Sequence, residues 1–358
     1  MGHPYIIYNS FKISMADNIF IKTLKGEKTQ RPPVWFMRQA GRVLPSYLEM
    51  RKQYSFEELM HSPELAAKVT LLPVHDLGVD AAILFSDILV IPAALGMDLT
   101  FTETGPKFEN PLKGLSNPLS SLNPDPSKLD YIYDVIDEVL KTSSSDIPLI
   151  GFCGAPFTTL CYMVQGLGTN HTFPDAVALL YQNKSLAHKL LSLITELSVE
   201  YALSQIKHCI SVFQIFETHA GLIPSELYFD MIMPYVRKIS VAVKQTGCPV
   251  IFLPKGLGTG IMHIYPEDCD FLSIDWQTPI EEARILVKPE IGLQGNLDPR
   301  LLLADKDTII DTLEKYVPFG SKNQNWIFNL GHGFIPGIPF ENAKLVVDWV
   351  KQTDWERS

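Results

Sequence analysis

The chain has 358 residues, a length that allows either two domains or one large α/β barrel. With 46% hydrophobic and 20% charged residues, it has the composition of a folded globular protein and not of a disordered or fibrous one. The formal net charge of -10 excludes a general nucleic-acid binder, which needs a broad basic surface. No apolar run is long enough for a membrane span.

The first 17 residues lack both the apolar core of a secretion signal and the Arg-rich face of an organelle-targeting peptide. We interpret residues 1–17 as an N-terminal extension that precedes a single domain of residues 18–358. The five cysteines form no CxxC pair, which favours a reducing cytoplasm over a disulfide framework. The sequence also has no zinc, P-loop or dinucleotide motif, so we expect chemistry without a metal or cofactor.

Short apolar runs of strand-forming residues alternate with helical patterns along the chain. The eight runs lie at 34–37, 81–85, 148–153, 212–217, 249–253, 271–275, 291–294 and 326–330. The clearest helical patterns lie at 62–77, 127–141, 174–210, 224–245, 279–287, 299–317 and 340–351. Strands separated by helices form parallel sheets, and eight such units predict a single (β/α)8 (TIM) barrel in preference to an open doubly wound sheet.

The residues that directly follow the predicted strands are chemically unusual. Active sites of (β/α)8 barrels lie at the carboxyl ends of the strands, so these side chains are expected at one rim. They are Arg38, Arg42, Asp87, Thr158, Thr218, His219, Lys255, Trp276, Asn296 and His332. Cations, one carboxylate and histidines therefore converge on the same end of the predicted barrel.

Arg38 and Arg42 follow the first predicted strand and lie four residues apart. A guanidinium binds a carboxylate through two parallel hydrogen bonds. The alternative is an ion pair that fixes the loop, but the loop contains no acidic residue before Glu49. We therefore predict that the two arginines bind an anion.

Asp87 ends the apolar run AAILFSD. It could cap a helix or pair with Arg38, and a nearby arginine would hold the aspartate in its ionised form. An ionised aspartate in a half-buried pocket also stabilises a cation that develops on a bound substrate. These interpretations are compatible, and Asp87 is our candidate for cation stabilisation.

Two further rim side chains carry hydrogen-bonding groups. His332 lies between two glycines, which leave room for a ligand near the backbone, and its imidazole could donate a hydrogen bond or carry a proton. Tyr162 lies in a predicted apolar helix, where a tyrosine is more often part of the core. His219 could similarly pack beneath its own loop.

Two long segments resemble signatures of the uroporphyrinogen decarboxylase family. They are PPVWFMRQAGRVLPSY at residues 32–47 and GFCGAPFTTLCYMVQG at residues 151–166. The segments LFSDILVIPAALG, QIFETHAG, SIDWQTP, LQGNLDP and NLGHGFIP follow in the family's order. The resemblance extends from about residue 18 to residue 353, with Thr218 where serine is common and GIP at 337–339 in place of the usual TP.

The resemblance implies a cytoplasmic homodimeric (β/α)8 barrel that converts uroporphyrinogen III to coproporphyrinogen III in haem and porphyrin biosynthesis. Such a lyase removes four acetate carboxyls as CO2 without metal or cofactor. Carried over by motif, the substrate-binding residues are Arg38, Gln39, Ala40, Gly41, Arg42, Asp87, Tyr162, Thr218 and His332. As catalytic residues we predict Asp87, which would stabilise the cation, and Arg38, which could act as an acid or anchor the carboxylate that leaves.

Two alternatives stay open on the sequence. The first is a corrinoid-dependent methyltransferase of the same fold, which would need a zinc-bound thiolate from spaced His and Cys residues. Here His208 and Cys209 are adjacent and form no HxC motif. The second is a barrel that binds a tetrapyrrole without turnover, because binding residues alone do not reveal catalysis.

Overall fold

In the computed structural model, which describes residues 17–41, 43–102, 105–144, 146–166 and 172–357, parallel strands curl around a buried core. Within these residues, seven strands form one sheet in the order β1, β4, β5, β6, β7, β8, β9. Every residue of β4 and β8 is buried, as expected for a parallel sheet covered on both faces. The predicted N-terminal extension lies almost wholly outside the described residues.

The strands are β1 (Ala82–Ile83), β2 (Leu99–Thr102), β3 (Gly105–Phe108), β4 (Leu149–Gly154), β5 (Val212–Glu217), β6 (Val250–Pro254), β7 (Phe271–Ser273), β8 (Gly292–Leu297) and β9 (Trp326–Leu330). The helices of the first half are α1 (Ile19–Leu24), α2 (Pro45–Gln53), α3 (Phe56–His61), α4 (Pro63–Asp76), α5 (Val90–Ala94), α6 (Asp130–Thr142) and α7 (Pro156–Gln165). Those of the second half are α8 (Pro174–Gln182), α9 (Lys184–Lys207), α10 (Ser225–Met231), α11 (Met233–Lys244), α12 (Ile280–Leu286), α13 (Lys306–Leu313), α14 (Val317–Lys322) and α15 (Phe340–Gln352).

The first predicted strand, at 34–37, is reduced to a single parallel bridge between Val34 and Phe328 of β9. Pro32 and Pro33 precede it, and proline has no N–H to donate to a strand ladder. The segment still fills the gap between β9 and β1, because the backbone N–H of Asp80 donates to the carbonyl of Val34 at 2.8 Å. It therefore provides the eighth position of the (β/α)8 barrel, and the fold prediction is confirmed.

Two long predicted helices are divided. The pattern at 174–210 breaks at Asn183, whose side chain accepts from the N–H of Leu186 at 3.1 Å and caps α9. The pattern at 224–245 breaks at Ile232, before Pro234 in the first turn of α11. Amphipathic periodicity continues across both breaks, so periodicity alone did not reveal them.

Additional elements lie between β1 and β4. The antiparallel hairpin of β2 and β3, in which Leu99 pairs with Phe108, was not predicted. Phe101 of this hairpin packs on Phe56 of α3, with ring centroids 4.6 Å apart. No described helix is long and apolar enough to cross a bilayer.

A buried ion pair holds the Val34 segment. Asp80 is 8% exposed, and its carboxylate accepts from the guanidinium of Arg31 at 2.7 and 2.8 Å. The same carboxylate accepts from the N–H of Val34 at 2.7 Å. Asp80 thus connects the segment before β1 to the segment that closes the barrel.

We expect Asp80→Asn to lower the free energy of unfolding by about 3 kcal/mol, because it leaves the half-buried guanidinium of Arg31 without its counter-charge. Urea denaturation of the two proteins measures this difference. Glu49→Gln is a suitable control, because Glu49 pairs with Lys52 on the surface and exposed pairs contribute about 0 to 1 kcal/mol. Equal losses in the two variants would contradict the role of Asp80.

Candidate active site

The carboxyl ends of the strands form a mouth at one end of the barrel, and those predicted rim residues that the structure describes lie there. Arg38 follows the Val34 bridge, Asp87 follows β1, and Thr218 follows β5. Tyr162 projects from α7, the helix that begins directly after β4, and His332 follows β9. The structure therefore brings together side chains that are far apart in the sequence.

Arg38 has a left-handed backbone conformation, with φ of 61°, which costs a residue other than glycine about 1 kcal/mol or more. Its exposed side chain lies against Gly333, where an added Cβ would come within 2.6 Å of Arg38 Cδ. Gly333 therefore makes room for the arginine side chain. This differs from the prediction that the glycines beside His332 make room for a ligand.

Asp87 is half-buried at the mouth. Its Oδ1 accepts from the N–H of Leu89 at 2.8 Å. Burial raises the pKa of the carboxyl above its ordinary value, while this hydrogen bond and the charge of Arg38 act in the opposite direction. Desolvation therefore outweighs the nearby positive charge in this pocket. That Arg38 keeps Asp87 in its ionised form stays a prediction.

Tyr162 lies in the same electrostatic environment as Arg38 and Asp87. Burial raises the pKa of its hydroxyl. The positive charge of Arg38 lowers this pKa, and the negative charge of Asp87 raises it. Its ring packs edge-on against Phe173 with centroids 5.1 Å apart, and lies 5.6 Å from His219. Tyr162 is thus partly a packing residue, as expected for an apolar helix, with its hydroxyl close to the charged pair.

His332 is a neutral group at physiological pH. Burial lowers its pKa to about 3, and the positive charges of Arg38 and Lys255 contribute to the decrease. The imidazole also contacts the edge of Trp276, with ring centroids 6.4 Å apart. A neutral imidazole can donate and accept hydrogen bonds, so this geometry favours hydrogen bonding over a resident positive charge.

Glu217, the last residue of β5, was predicted only as part of a strand. Its side chain is fully buried, and Oε1 accepts from the N–H of Thr158 at 2.9 Å and from the Thr158 hydroxyl. The hydroxyl oxygen of Thr158 in turn accepts from the N–H of His219 at 3.2 Å. These contacts join the start of α7, which carries Tyr162, to the loop that carries Thr218.

The four residues after Arg38 have different environments. Gln39 is fully buried; its Oε1 accepts from the N–H of Phe36 at 3.0 Å, and its Nε2 donates to the carbonyl of Ala81 at 2.9 Å. Ala40 is also buried, and the N–H of Gly41 donates to the carbonyl of Arg38 at 3.0 Å. Arg42 lies outside the described residues.

Two mouth residues were noticed in the sequence but given no role. The ε-amino group of Lys255, directly after β6, lies 5.3 Å from the ring centroid of Trp276.

No group of three His, Cys, Asp or Glu side chains in the described part of the chain is placed to hold a metal ion. Glu217, Lys255 and Trp276 are the additions that the structure makes to the site.

The buried carboxyl of Glu217 predicts a pH-dependent stability. Burial raises its pKa from 4.5 to about 7, so the folded state binds this proton more tightly than the unfolded state does. The carboxyl therefore stabilises the fold most below pH 4.5, and this contribution declines as the pH rises to about 7. Across this range we expect wild type to lose about 3 kcal/mol of stability relative to Glu217→Gln.

Urea unfolding at pH 4.5, 5.5 and 7 measures this relative change. Glu226→Gln is the matched control, because Glu226 is exposed on α10 and its replacement removes the same charge. We expect the control to follow the wild-type pH dependence. Parallel curves for wild type and Glu217→Gln would contradict the interpretation.

Comparison with known proteins identifies the family. Residues 15–353 match the family model described as uroporphyrinogen decarboxylase (URO-D). A uroporphyrinogen decarboxylase from Campylobacter hominis is 41% identical over 340 residues, which are 93% of this chain and 98% of the relative. The enzyme of the same name from Flavobacterium johnsoniae is 36% identical over 340 residues, 94% of this chain and 99% of the relative.

Among solved structures, a methyltransferase from Methanosarcina mazei superimposes with a TM-score of 0.75 at 17% identity, covering 93% of this chain and 97% of that one. At this low identity the likeness concerns the fold alone, whereas the family model and the curated relatives match the sequence across the barrel. The chain belongs to the uroporphyrinogen decarboxylase family.

Proposed function

We propose that the protein removes the four acetate carboxyls of uroporphyrinogen III and releases coproporphyrinogen III and CO2. Family membership makes the chain a decarboxylase, and therefore a carboxy-lyase of porphyrin biosynthesis. The observation that carries the proposed mechanism is the half-buried Asp87 beside Arg38 at the mouth of the barrel.

The chemistry requires a temporary electron sink. A pyrrole acetate cannot lose CO2 directly, because the electrons of the broken bond have no acceptor. Protonation of the ring carbon next to the one that carries the acetate gives an iminium-like cation, and the substituted carbon accepts these electrons as an exocyclic C=CH2 bond when CO2 leaves. A proton added to the CH2 carbon and loss of the extra ring proton then give the methyl pyrrole. The enzyme therefore has to stabilise a positive ring, and this step needs no metal or cofactor.

Asp87 is suited to that task. In the ground state the pyrrole is neutral, and burial disfavours the charge of Asp87. In the transition state the ring is positive, so the same carboxylate gains a counter-charge at that moment. Two unit charges about 4 Å apart interact by about 4 kcal/mol at an effective dielectric near 20, which corresponds to roughly a thousandfold in rate.

The periphery of the substrate carries carboxylates, and the cations of the mouth would bind them. Arg38 takes part in no ion pair within the described residues, so its guanidinium is available. We assign the same role to Arg42 from its motif. As an acid, Arg38 would be weak, because a guanidinium keeps its proton in proteins.

The other residues of the set would contribute hydrogen bonds. The hydroxyls of Tyr162 and Thr218 and the neutral imidazole of His332 would contact substrate carboxylates. The side chain of Gln39 is engaged with backbone groups, so we assign it to the shape of the loop. Ala40 and Gly41 would contribute through their backbone.

A corrinoid-dependent methyltransferase is less well supported. The adjacent His208 and Cys209 follow the end of α9 and precede β5, at the end of the barrel opposite the mouth. His208 Nδ1 lies 2.8 Å from a carboxylate oxygen of Asp137, and its ring stacks on Tyr133 with centroids 5.3 Å apart. These residues have structural contacts far from the cations of the mouth.

We also propose a cytoplasmic homodimer with the two mouths facing each other. Support comes from the family resemblance and from the cysteines, all five of which are free thiols. Four of them are buried, and burial raises the pKa of Cys161 well above its ordinary value. Sedimentation of the purified protein would give twice the chain mass.

Asp87→Asn tests the proposed role of the carboxylate, because it keeps the shape and removes the charge. We expect turnover to fall at least about a hundredfold with a small change in unfolding free energy. The assay is anaerobic incubation with uroporphyrinogen, followed by oxidation and a count of the carboxyls on each porphyrin product. Asp134→Asn, at an exposed position of α6, should behave as wild type.

Turnover near the wild-type value in Asp87→Asn would exclude the cation-stabilising role. A wild-type product that keeps all eight carboxyls would instead indicate a protein that binds tetrapyrroles without reaction.

Arg38→Lys keeps the positive charge but loses the two parallel hydrogen bonds of the guanidinium. We expect kcat/KM to fall about tenfold or more in the same assay. Unchanged kcat and KM would rule out direct contact between Arg38 and a substrate carboxylate.

A further inference from the structure

Lys255 is a half-buried cation at the mouth. No ion pair within the described residues includes it. By contrast, the comparably half-buried Lys244 pairs with Asp270 at 2.5 Å. A partly desolvated ammonium without a counter-charge is unfavourable, and this cost is relieved when an anion binds.

The position of Lys255 in the barrel is opposite that of Arg38. The eight barrel positions are counted from the Val34 segment through β1, β4 and β5 to β6, which is the fifth. Lys255 follows this fifth position, whereas Arg38 follows the first. The charges of Arg38 and Lys255 both act on His332, so the two cations face the same space. A ring-shaped ligand between them would have a cation on two opposite sides.

The surroundings of Lys255 fix its position. Its backbone N–H donates to the carbonyl of Glu217 at 2.9 Å, and its carbonyl accepts from the N–H of Gly221 at 3.0 Å. The next residue, Gly256, donates its N–H to Asp275 Oδ2 at 2.6 Å. Asp275 directly precedes Trp276, so the loop of the lysine and the loop of the indole are joined.

Trp276 supplies an apolar surface beside the cation. The ammonium of Lys255 and the guanidinium of Arg300 both lie over its ring, at 5.3 and 5.4 Å from the centroid. Arg300 differs from Lys255 because it is 63% exposed and already paired with Asp298 at 2.5 Å. Of the two cations over the indole, only Lys255 therefore has no carboxylate as an ion-pair partner within the described residues.

We propose that Lys255, whose ammonium lies over the ring of Trp276, binds a propionate carboxylate of the porphyrinogen on the side of the mouth opposite Arg38. This assignment rests on the proposed function. Propionates remain on the ring through all four decarboxylations, so Lys255 would contribute equally to the ground state and the transition state. Such uniform binding lowers KM and leaves kcat almost unchanged.

Kinetics of Lys255→Gln with uroporphyrinogen under anaerobic conditions test the assignment. We expect KM to rise about tenfold, the equivalent of one charge-assisted hydrogen bond, with kcat within about threefold of wild type. Lys255→Arg should keep KM within about threefold. The matched control is Arg300→Gln, which removes a cation over the same indole and should change neither constant by more than about twofold.

An unchanged KM in Lys255→Gln would overturn the assignment, as would a loss confined to kcat, which would place Lys255 at the reacting acetate. If Lys255→Gln fails to fold, Lys255→Met, which keeps most of the aliphatic stem, takes its place.

Binding of coproporphyrin, measured by fluorescence titration, separates this proposal from the proposed function. If wild type does not decarboxylate uroporphyrinogen but binds coproporphyrin about tenfold more tightly than Lys255→Gln does, the proposed function is rejected and the lysine site is supported. Equal affinities, or no binding by wild type, would reject the lysine site.

Discussion

The barrel depends on how its first segment is held. Pro32 and Pro33 cannot donate to a ladder, and the Val34 segment makes a single bridge to β9. On its other side the segment is joined to Asp80, whose backbone N–H donates to the carbonyl of Val34 and whose carboxylate accepts from the N–H of Val34 and from Arg31. This connection closes the ring of strands. It also determines where the segment ends, and therefore where the guanidinium of Arg38 enters the mouth.

The charges of the mouth contrast with those of the whole molecule. The chain has a net charge of -10, yet Arg38 and Lys255 face the mouth without ion-pair partners in the described residues. Asp87 is held where burial opposes its ionisation. Asp87 and Lys255 are partly desolvated and would gain a counter-charge from a polyanionic ring that turns cationic at its centre, while the exposed guanidinium of Arg38 would bind its periphery. Binding would then belong to the rim and catalysis to the centre.

The sequence predicted much of this arrangement, because the apolar runs located all eight barrel positions, seven of which form strands in the described residues. The residues after each strand then converge by the geometry of parallel sheets. It could not predict that Glu217 bonds to Thr158, since a contact between residues 59 positions apart depends on the packing of two neighbouring strands. It could not predict the raised pKa of Asp87 either, because desolvation is a property of the folded pocket. A role for Lys255 required its distance from Trp276 and the lack of an ion-pair partner for this lysine within the described residues.

The contact between Gly333 and the stem of Arg38 constrains how the gene can vary. A missense change at a glycine codon introduces at least one extra carbon, and here that carbon would occupy the space of the arginine methylenes. Such an allele would leave the barrel intact and its cellular abundance normal while displacing the guanidinium. In a mutational scan, substitutions at position 333 would therefore lower activity without lowering protein abundance, as expected for the mouth and not for the hydrophobic core.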